Sequence, residues 1–279
     1  MRVSKQQLTA FADKLACQIP FDTSPRHLAG PGDARHVTHG LATAGWICTS
    51  DPLSAEIILR SPDHRLTLQF DPQSATSAWW RLRAETTDSE RGWYAEFGEL
   101  VPAEILCHAT DALVTPPPSK QQAPWEVLGS AGWLLDEANR AARSPDAMCH
   151  IEQGRDRDVM SWRIETLPSG HPYSDGPRIW HAWFDTRTPS CLVTAFITGL
   201  VDTAPLQRGM YERLGHYSTV QERSPLSPEQ VAAAHTARVD RIRVQARAAR
   251  RQQPSSAAAA PTTTGAARPA ASLTPVRGR

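Results

Sequence analysis

The chain has 279 residues, of which 40% are hydrophobic, and a formal net charge of +1 at pH 7. Its apolar runs fall well short of the roughly 20 residues of a membrane-spanning helix. Its first 20 residues are too polar for a signal peptide. We therefore expect a cytoplasmic protein without membrane contact. Five widely spaced cysteines with no Cys-x-x-Cys pair argue against a disulfide framework or a zinc ribbon, and predict inert thiols that are buried or partly buried.

The first predicted element is an N-terminal helix within residues 1–23. Ser4 and Gln7 form a potential capping box, and Leu8 and Phe11 begin an apolar face at helical spacing. Pro20 ends the helix. Residues 22–33 are then predicted to form a loop, because they carry strong turn signals.

An internal repeat organises the next part of the chain. Ala-Gly-Trp occurs at 44–46 and again at 131–133, an offset of 87 residues. The same offset relates further apolar positions, namely Trp93/Trp180, Ala95/Ala182 and Phe97/Phe184. Two shorter matches are Ser61-Pro62-Asp63 with Ser144-Pro145-Asp146, and Trp80-Arg81 with Trp162-Arg163. The repeat predicts two modules, over 24–118 and 119–205, each of which starts and ends with a helix.

Between these helices, alternating apolar and polar residues predict antiparallel strands with one buried face. In the first module the predicted strands are 46–49, 56–60, 65–70, 78–85 and 92–97, after a helix at 35–44. In the second module the clearer predicted strands are 148–152, 161–165 and 178–184. Residues 167–177 form an insertion that the first module lacks, and insertions of this kind often carry function.

Residues 206–252 are predicted to form a segment that docks on the body, followed by an Arg-rich helix. Ser227-Pro228-Glu229-Gln230 predicts the start of this helix. An alanine-rich heptad seam is formed by Ala232, His235, Val239, Ile242, Ala246 and Ala249. The residues at 253–279 are rich in Pro, Ala and Thr and are predicted to be a disordered tail.

The charge changes sign along the chain. From residue 206 onward there are 12 Arg and no Lys against four acidic residues, so the part before it is acidic. Such an asymmetry favours contact with a polyanion or association through charge. The candidate phosphate contacts on the last helix are Arg238, Arg241, Arg243, Arg247, Arg250 and Arg251. The alternative is a solvated helix that keeps the protein soluble.

Three common enzyme motifs do not occur in the sequence. The chain has no Gly-x-Ser-x-Gly, no phosphate-binding glycine loop and no His-Glu-x-x-His, so we assign no catalytic residue and no cofactor. Asp33, His36 and His39 have metal-ligand side chains, but their spacing is poor for one site, and we interpret them as turn or capping residues and assign no metal.

The repeated strands instead suggest a binding surface. Trp93, Ala95 and Phe97 and their counterparts are predicted to be core, which leaves the intervening side chains on the opposite face. These candidate partner-surface residues are Tyr94, Glu96, His181 and Trp183.

Several longer motifs resemble a known family. They include Pro25-Arg26-His27-Leu28-Ala29-Gly30, His36-Val37-Thr38-His39, Gly92-Trp93-Tyr94-Ala95, Trp180-His181-Ala182-Trp183, Gln207-Arg208-Gly209-Met210 and Ala234-His235-Thr236-Ala237-Arg238. The chain resembles, over about 24–251, the domain-of-unknown-function 317 (DUF317) proteins of Streptomyces and related actinomycetes. The resemblance implies a bacterial cytoplasmic protein with two tandem copies, and it supplies no activity, cofactor or catalytic residue.

The sequence therefore predicts an α+β protein of two tandem modules, each an antiparallel sheet of three to five strands with flanking helices. The leading hypothesis for its function is a non-enzymatic binding or scaffolding protein that uses the two sheets as one surface, through a protein partner or self-association. Nucleic-acid binding through the basic helix and an unrecognised enzyme are the alternatives.

Overall fold

The computed structural model describes residues 3–115, 122–138, 140–156, 159–168 and 177–252. The helices are α1 (Lys5–Ala16), α2 (Arg35–Ala44), α3 (Ala103–Ala112), α4 (Pro124–Ser130), α5 (Ser190–Val201) and α6 (Pro228–Gln252). The strands are β1 (Pro20–Ser24), β2 (Ile47–Cys48), β3 (Ile57–Arg60), β4 (Leu66–Phe70), β5 (Ala78–Ala84), β6 (Trp93–Gly98), β7 (Leu134–Asp136), β8 (Ala141–Arg143), β9 (Cys149–Asp156), β10 (Val159–Thr166), β11 (Trp180–Phe184), β12 (Leu206–Gly209) and β13 (Val220–Arg223).

The two modules share one antiparallel sheet of ten strands. Its order is β2-β3-β4-β5-β6-β11-β10-β9-β8-β7, so each module supplies five consecutive strands and the modules join where β6 pairs with β11. In this pairing Glu96 lies opposite Trp183, and these two positions are 87 residues apart, the offset of the repeat. A pseudo-two-fold axis therefore passes between Glu96 and Trp183. The predicted α+β fold of two antiparallel modules is confirmed.

The helices cover one face of this sheet and enclose a continuous core. Across the sheet, α2 packs on α3, α3 on α5, and α5 on α4. The repeated apolar positions point into this layer as predicted: Trp93, Ala95, Phe97, Trp180, Ala182 and Phe184 are all buried. The core cluster contains residues of both modules and of the helices between them. Because apolar burial drives folding, the two modules stabilise each other.

The repeated Ala-Gly-Trp units mark the passage from a helix into the sheet. Gly45 has φ of 99° and Gly132 has φ of 76°, a left-handed conformation that glycine adopts without steric cost. The following tryptophans, Trp46 and Trp133, donate their backbone N–H to the carbonyl oxygens of Leu41 and Leu128, each at 3.1 Å. These bonds satisfy carbonyls at the helix C-terminus.

Some strands differ from the sequence-based expectation. The predicted loop at 22–33 is wrong at its start, because β1 extends to Ser24 and a short 3-10 helix covers Arg26–Leu28. β1 lies between β12 and β13 in a second, three-stranded sheet. Its partners are more than 180 residues away along the chain, so local periodicity gave no sign of this sheet.

The N-terminal and C-terminal helices pack against the same part of the body. The predicted capping box of α1 forms, because Ser4 Oγ accepts from the Gln7 N–H at 3.2 Å and Gln7 Oε1 accepts from the Ser4 N–H at 2.8 Å. Helix α6 packs on α1 and α2. The first four seam residues of α6, Ala232, His235, Val239 and Ile242, are buried. The seam is thus an intramolecular contact.

The cysteines are unpaired, and their environments differ. Cys107 and Cys149 are buried, and burial raises the pKa of each thiol to about 12. Cys17 and Cys48 are exposed, so the prediction of buried or partly buried thiols is wrong for these two. Within the described ranges, none of the helices combines the length and the hydropathy needed to cross a membrane.

Candidate functional site

The face of the large sheet that lies opposite the helices carries the four residues that alternation placed there. Tyr94 and His181 are equivalent by the repeat offset, as are Glu96 and Trp183. They surround the pseudo-two-fold axis on β6 and β11. Tyr94, Glu96 and Trp183 are half-buried, whereas His181 is only 8% exposed. The structure thus brings the four together, with His181 the least accessible.

These side chains form a connected polar and aromatic group. Tyr94 Oη donates a hydrogen bond to Glu96 Oε2 at 2.9 Å, and the Tyr94 and Trp183 rings lie 5.9 Å apart between centroids. Burial and this hydrogen bond raise the pKa of Tyr94 to about 12. His181 Nε2 lies 3.6 Å from Glu96 Oε1, while burial lowers the pKa of His181. At neutral pH the group therefore presents a neutral phenol and a neutral imidazole on either side of Glu96.

Arginines extend this group in both directions across the strands. Arg81 pairs with Glu96 in the sheet register, and Arg163 pairs with Trp183. We call the cross-strand set Arg81, Glu96, Trp183 and Arg163 the dyad row. Side chains on neighbouring strands of such a row lie within contact range of each other. Arg163, at one end of the row, is exposed. The sequence contained a signal for these arginines, because Trp80-Arg81 repeats as Trp162-Arg163, but only the register shows that they flank the axis.

The arginines of α6 do not form one surface. Arg238 faces inward and binds Asp111 through Nε at 2.9 Å and Nη2 at 2.6 Å, and its Nη1 donates to the carbonyl oxygen of His36. Arg243 pairs with Asp240 at 2.6 Å. Arg241, Arg247 and Arg251 are exposed, and the side chain of Arg250 lies outside the described residues.

The Asp33, His36 and His39 set lies at the junction of α1, α2 and α6. Asp33 binds Arg35 at 2.7 Å and Lys14 at 2.8 Å, which fits its interpretation as a turn residue. The two histidines, in contrast, pack inside: His39 Nδ1 lies 3.1 Å from His235 Nε2, and His36 packs edge-on against Phe11. The interpretation of both histidines as turn or capping residues is therefore wrong. Among the described residues, no group of three or more side chains is arranged to hold a metal ion.

A cavity of about 610 Å³ lies between the segment 24–28 and the second module. In its wall His27 Nε2 lies 2.9 Å from Asp146 Oδ2, and Ser144 Oγ donates to Asp146 Oδ1. Burial alone would raise the pKa of Asp146, but these two hydrogen bonds lower it to about 2. The Asp146 carboxylate thus lies between the Ser144 hydroxyl and the His27 imidazole. Activation of a serine as a nucleophile requires the imidazole to contact the hydroxyl directly, so this order of groups does not activate Ser144.

The first module contains the same turn, but among the described residues no histidine side chain bonds to Asp63, which accepts from Ser61 Oγ and from the Arg65 N–H. Ser61 Oγ donates to Asp63 Oδ1 and accepts from the Leu66 N–H at 2.8 Å, as Ser144 Oγ accepts from the Cys149 N–H at 2.9 Å. The repeated Ser-Pro-Asp therefore shapes a strand-to-strand turn in both modules.

Of the insertion at 167–177, the structure describes only residues 167, 168 and 177. Most of the segment that we expected to carry function therefore lies outside the described residues.

The fold and the site define the class of this protein: an internally duplicated α+β protein with one open sheet face. The model of a domain of unknown function, SPDY (DUF317), matches residues 60–119 and 143–206. These two matched regions confirm the predicted tandem of DUF317 copies over the residues they cover. No curated protein and no solved structure matches the chain.

Proposed function

We propose that this protein is a non-enzymatic binding or scaffolding protein that holds a protein partner on the open face of the ten-stranded sheet, centred on the dyad row. The observation that carries the proposal is the pairing of β6 with β11. This pairing makes the two sheets one surface, so a single partner can contact both modules at once.

The chemistry of the dyad row suits a protein partner. Tryptophan, tyrosine and arginine are the residue types most enriched among the side chains that dominate protein–protein binding energy. Trp183 and Tyr94 offer aromatic area, and Arg163 offers a charge that is exposed. Because equivalent positions differ between the modules, the surface is asymmetric at its centre and favours one partner over two identical ones.

Site-specific photo-crosslinking in the producing cell tests this proposal. A benzophenone amino acid replaces Arg83 or Arg163 on the open face, both of which are exposed, or Arg247 on α6 as a matched control. We expect a discrete crosslinked protein from positions 83 and 163 only. A second substitution, Trp183→Ala, should reduce its yield strongly, because loss of a central aromatic contact weakens binding by about 2 kcal/mol or more.

Two outcomes would contradict the proposal. Crosslinks from position 247 alone would place the interface on α6. Crosslinks to nucleic acid, together with binding that falls steeply between about 50 and 200 mM salt, would instead favour phosphate contact, since this salt dependence is typical of counterion release.

A further inference from the structure

A second cavity, of about 290 Å³, lies where α1, α3, β12 and α6 meet. It lies on the helix side of the large sheet, away from the dyad row. Its volume is close to the lower end of the range of about 300–1,000 Å³ that is typical of small-molecule sites. The lining residues that matter here are Arg26, Gln207, His235 and Arg241.

Buried polar atoms without partners concentrate around this cavity. Among the described residues, six buried side-chain nitrogen or oxygen atoms have no hydrogen-bond partner, and three of the six belong to its lining. These are Arg26 Nε, Gln207 Oε1 and His235 Nδ1. Arg26 is 8% and His235 4% exposed. A buried polar group that lacks a partner is destabilising, and most such groups in native proteins are paired, so three at one cavity indicate a polar occupant.

The three acidic side chains of the cavity wall, Asp33, Glu104 and Glu212, already lie beside other cations, and Glu212 Oε1 is 3.7 Å from Lys14 Nζ. Glu104 binds Arg208 through two bonds, at 2.6 Å and 2.9 Å, and Asp33 binds Lys14 and Arg35. Arg26 reaches the carboxylate of Asp202 at 3.2 Å through Nη1, which leaves its Nε–H free. Within the described part of the chain, Arg241 makes no ion pair or hydrogen bond, and the nearby carboxylate on which its charge acts, Asp111, is already bound to Arg238. Positive charge and N–H donors therefore remain available.

The histidine pair can add another donor. When His39 Nδ1–H donates to His235 Nε2, the neutral imidazole of His235 carries its proton on Nδ1, the atom without a partner. Arg26 Nε–H and His235 Nδ1–H then both require acceptors, while Gln207 Oε1 requires a donor. An oxyanion that also carries a hydroxyl group meets all three requirements.

We propose that this cavity binds a small hydroxylated oxyanion, a carboxylate or a phosphate ester, through Arg26, Arg241 and His235. The site is independent of the open face, so the two proposals can fail separately. It gives the protein a ligand-binding function besides the binding of a partner.

Calorimetric titration and thermal unfolding of the full chain test this proposal, with glycerol 3-phosphate, citrate and sodium chloride as the added solutes at matched ionic strength. We expect saturable binding and a rise in the unfolding temperature with one or both organic anions, beyond the effect of chloride. Binding of glycerol 3-phosphate alone would assign a phosphate ester, and binding of citrate alone would assign a carboxylate.

Variants locate the site. Arg241→Gln, at an exposed position on the cavity rim, should weaken binding about tenfold, since hydrogen bonds to charged groups contribute strongly. Arg247→Gln on the same helix is exposed and away from the cavity, and should bind like the wild type. Arg26→Lys, which keeps the charge but removes Nε–H, should also bind more weakly. The proposal is overturned by stabilisation no greater than that in chloride, or by equal binding of the Arg241 and Arg247 variants.

Discussion

At the scale of single residues, the most constrained side chain is the guanidinium of Arg208. It is 1% exposed and uses its donors on Glu104 and on the carbonyl oxygens of Ala29, Gly30 and Gln207. One side chain thus ties β12 to the segment after the 3-10 helix and to α3. A buried charge with all its donors engaged fixes a geometry that apolar contacts alone would leave less specific.

We expect Arg208→Met to lower the free energy of unfolding by about 3–5 kcal/mol, because it leaves the buried carboxylate of Glu104 without a counter-charge. Urea unfolding measures this change. The double variant Arg208→Met/Glu104→Gln should recover part of the loss, since it also removes the uncompensated charge. A single variant within about 1 kcal/mol of the wild type would contradict this account.

Two glycines with positive φ should differ in their tolerance of alanine. A Cβ at Gly30, where φ is 81°, would lie 2.2 Å from the carbonyl oxygen of Arg213, whereas a Cβ at Gly132 meets no atom within 4 Å. Gly132→Ala should therefore cost only the strain of the left-handed conformation, about 1–2 kcal/mol. Gly30→Ala should cost clearly more, as compared by thermal unfolding of both variants. Equal costs would show that the Gly30 backbone shifts freely.

At the scale of elements, the docking of α6 depends on neutral histidines. His39 and His235 form a hydrogen bond between α2 and α6, and the His235 ring stacks on Phe11 of α1 at 4.1 Å. Burial lowers the pKa of His39 to about 4, and the charge of Arg35 lowers it further. Burial lowers the pKa of His235 to about 3, and His36 adds to this effect. Protonation in this contact would bring a positive charge beside Arg238.

These pKa values predict a loss of stability in mild acid. An unfolded chain binds protons at its histidines near pH 6.5, whereas the folded chain does not bind them until about pH 4 or below. The stabilisation is therefore complete above pH 6.5 and falls as the pH decreases toward 4. Urea midpoints between pH 7 and 5, above the range in which most carboxylates titrate, measure it. The variant His235→Gln should show a shallower dependence on pH, and an unchanged slope would contradict the assignment.

At the scale of the whole molecule, the shared sheet makes the two domains one folding unit. β6 and β11 are central strands, and α3 and α5 pack on each other above them. Separation of the domains would expose two strand edges and the apolar surface between the helices. Exposed edges and apolar patches of this kind favour aggregation.

We therefore expect a single cooperative unfolding transition and similar hydrogen-exchange protection in β5, β6, β10 and β11. Phe97→Ala at the domain junction, where the side chain is 0% exposed, should lower protection in both domains by about 3–5 kcal/mol. Hydrogen exchange with mass spectrometry measures both halves at once. A loss confined to the first domain would show that the domains unfold separately.

Much of the fold was predictable where local pattern and repetition agree. Helix α2 begins and ends at the predicted residues, and the five strands of the first module lie within one or two residues of their predicted bounds. In the second module β7 and β8 were missed, because Leu134–Asp136 and Ala141–Arg143 are only three residues each. Strands this short are defined by their partners in the sheet.

The candidate site was predictable only in part. Alternation along β6 and β11 indicated Tyr94, Glu96, His181 and Trp183, because successive side chains in a strand point to opposite faces. It did not indicate that His181 is buried, that Arg81 and Arg163 flank the axis, or that Arg238 turns inward to Asp111. Each of these depends on a neighbour that is distant along the chain.

The duplication, the antiparallel strands and the helix starts follow from periodicity, spacing and local backbone preference, so the amino-acid sequence alone indicates them. The joining of the two sheets into one, the second sheet of β1, β12 and β13, and the packing of α6 over the histidines against α1 and α2 appear only in the folded molecule. Pairing between distant strands, charge burial and cavities depend on which surfaces meet, and local propensity carries no information about that choice.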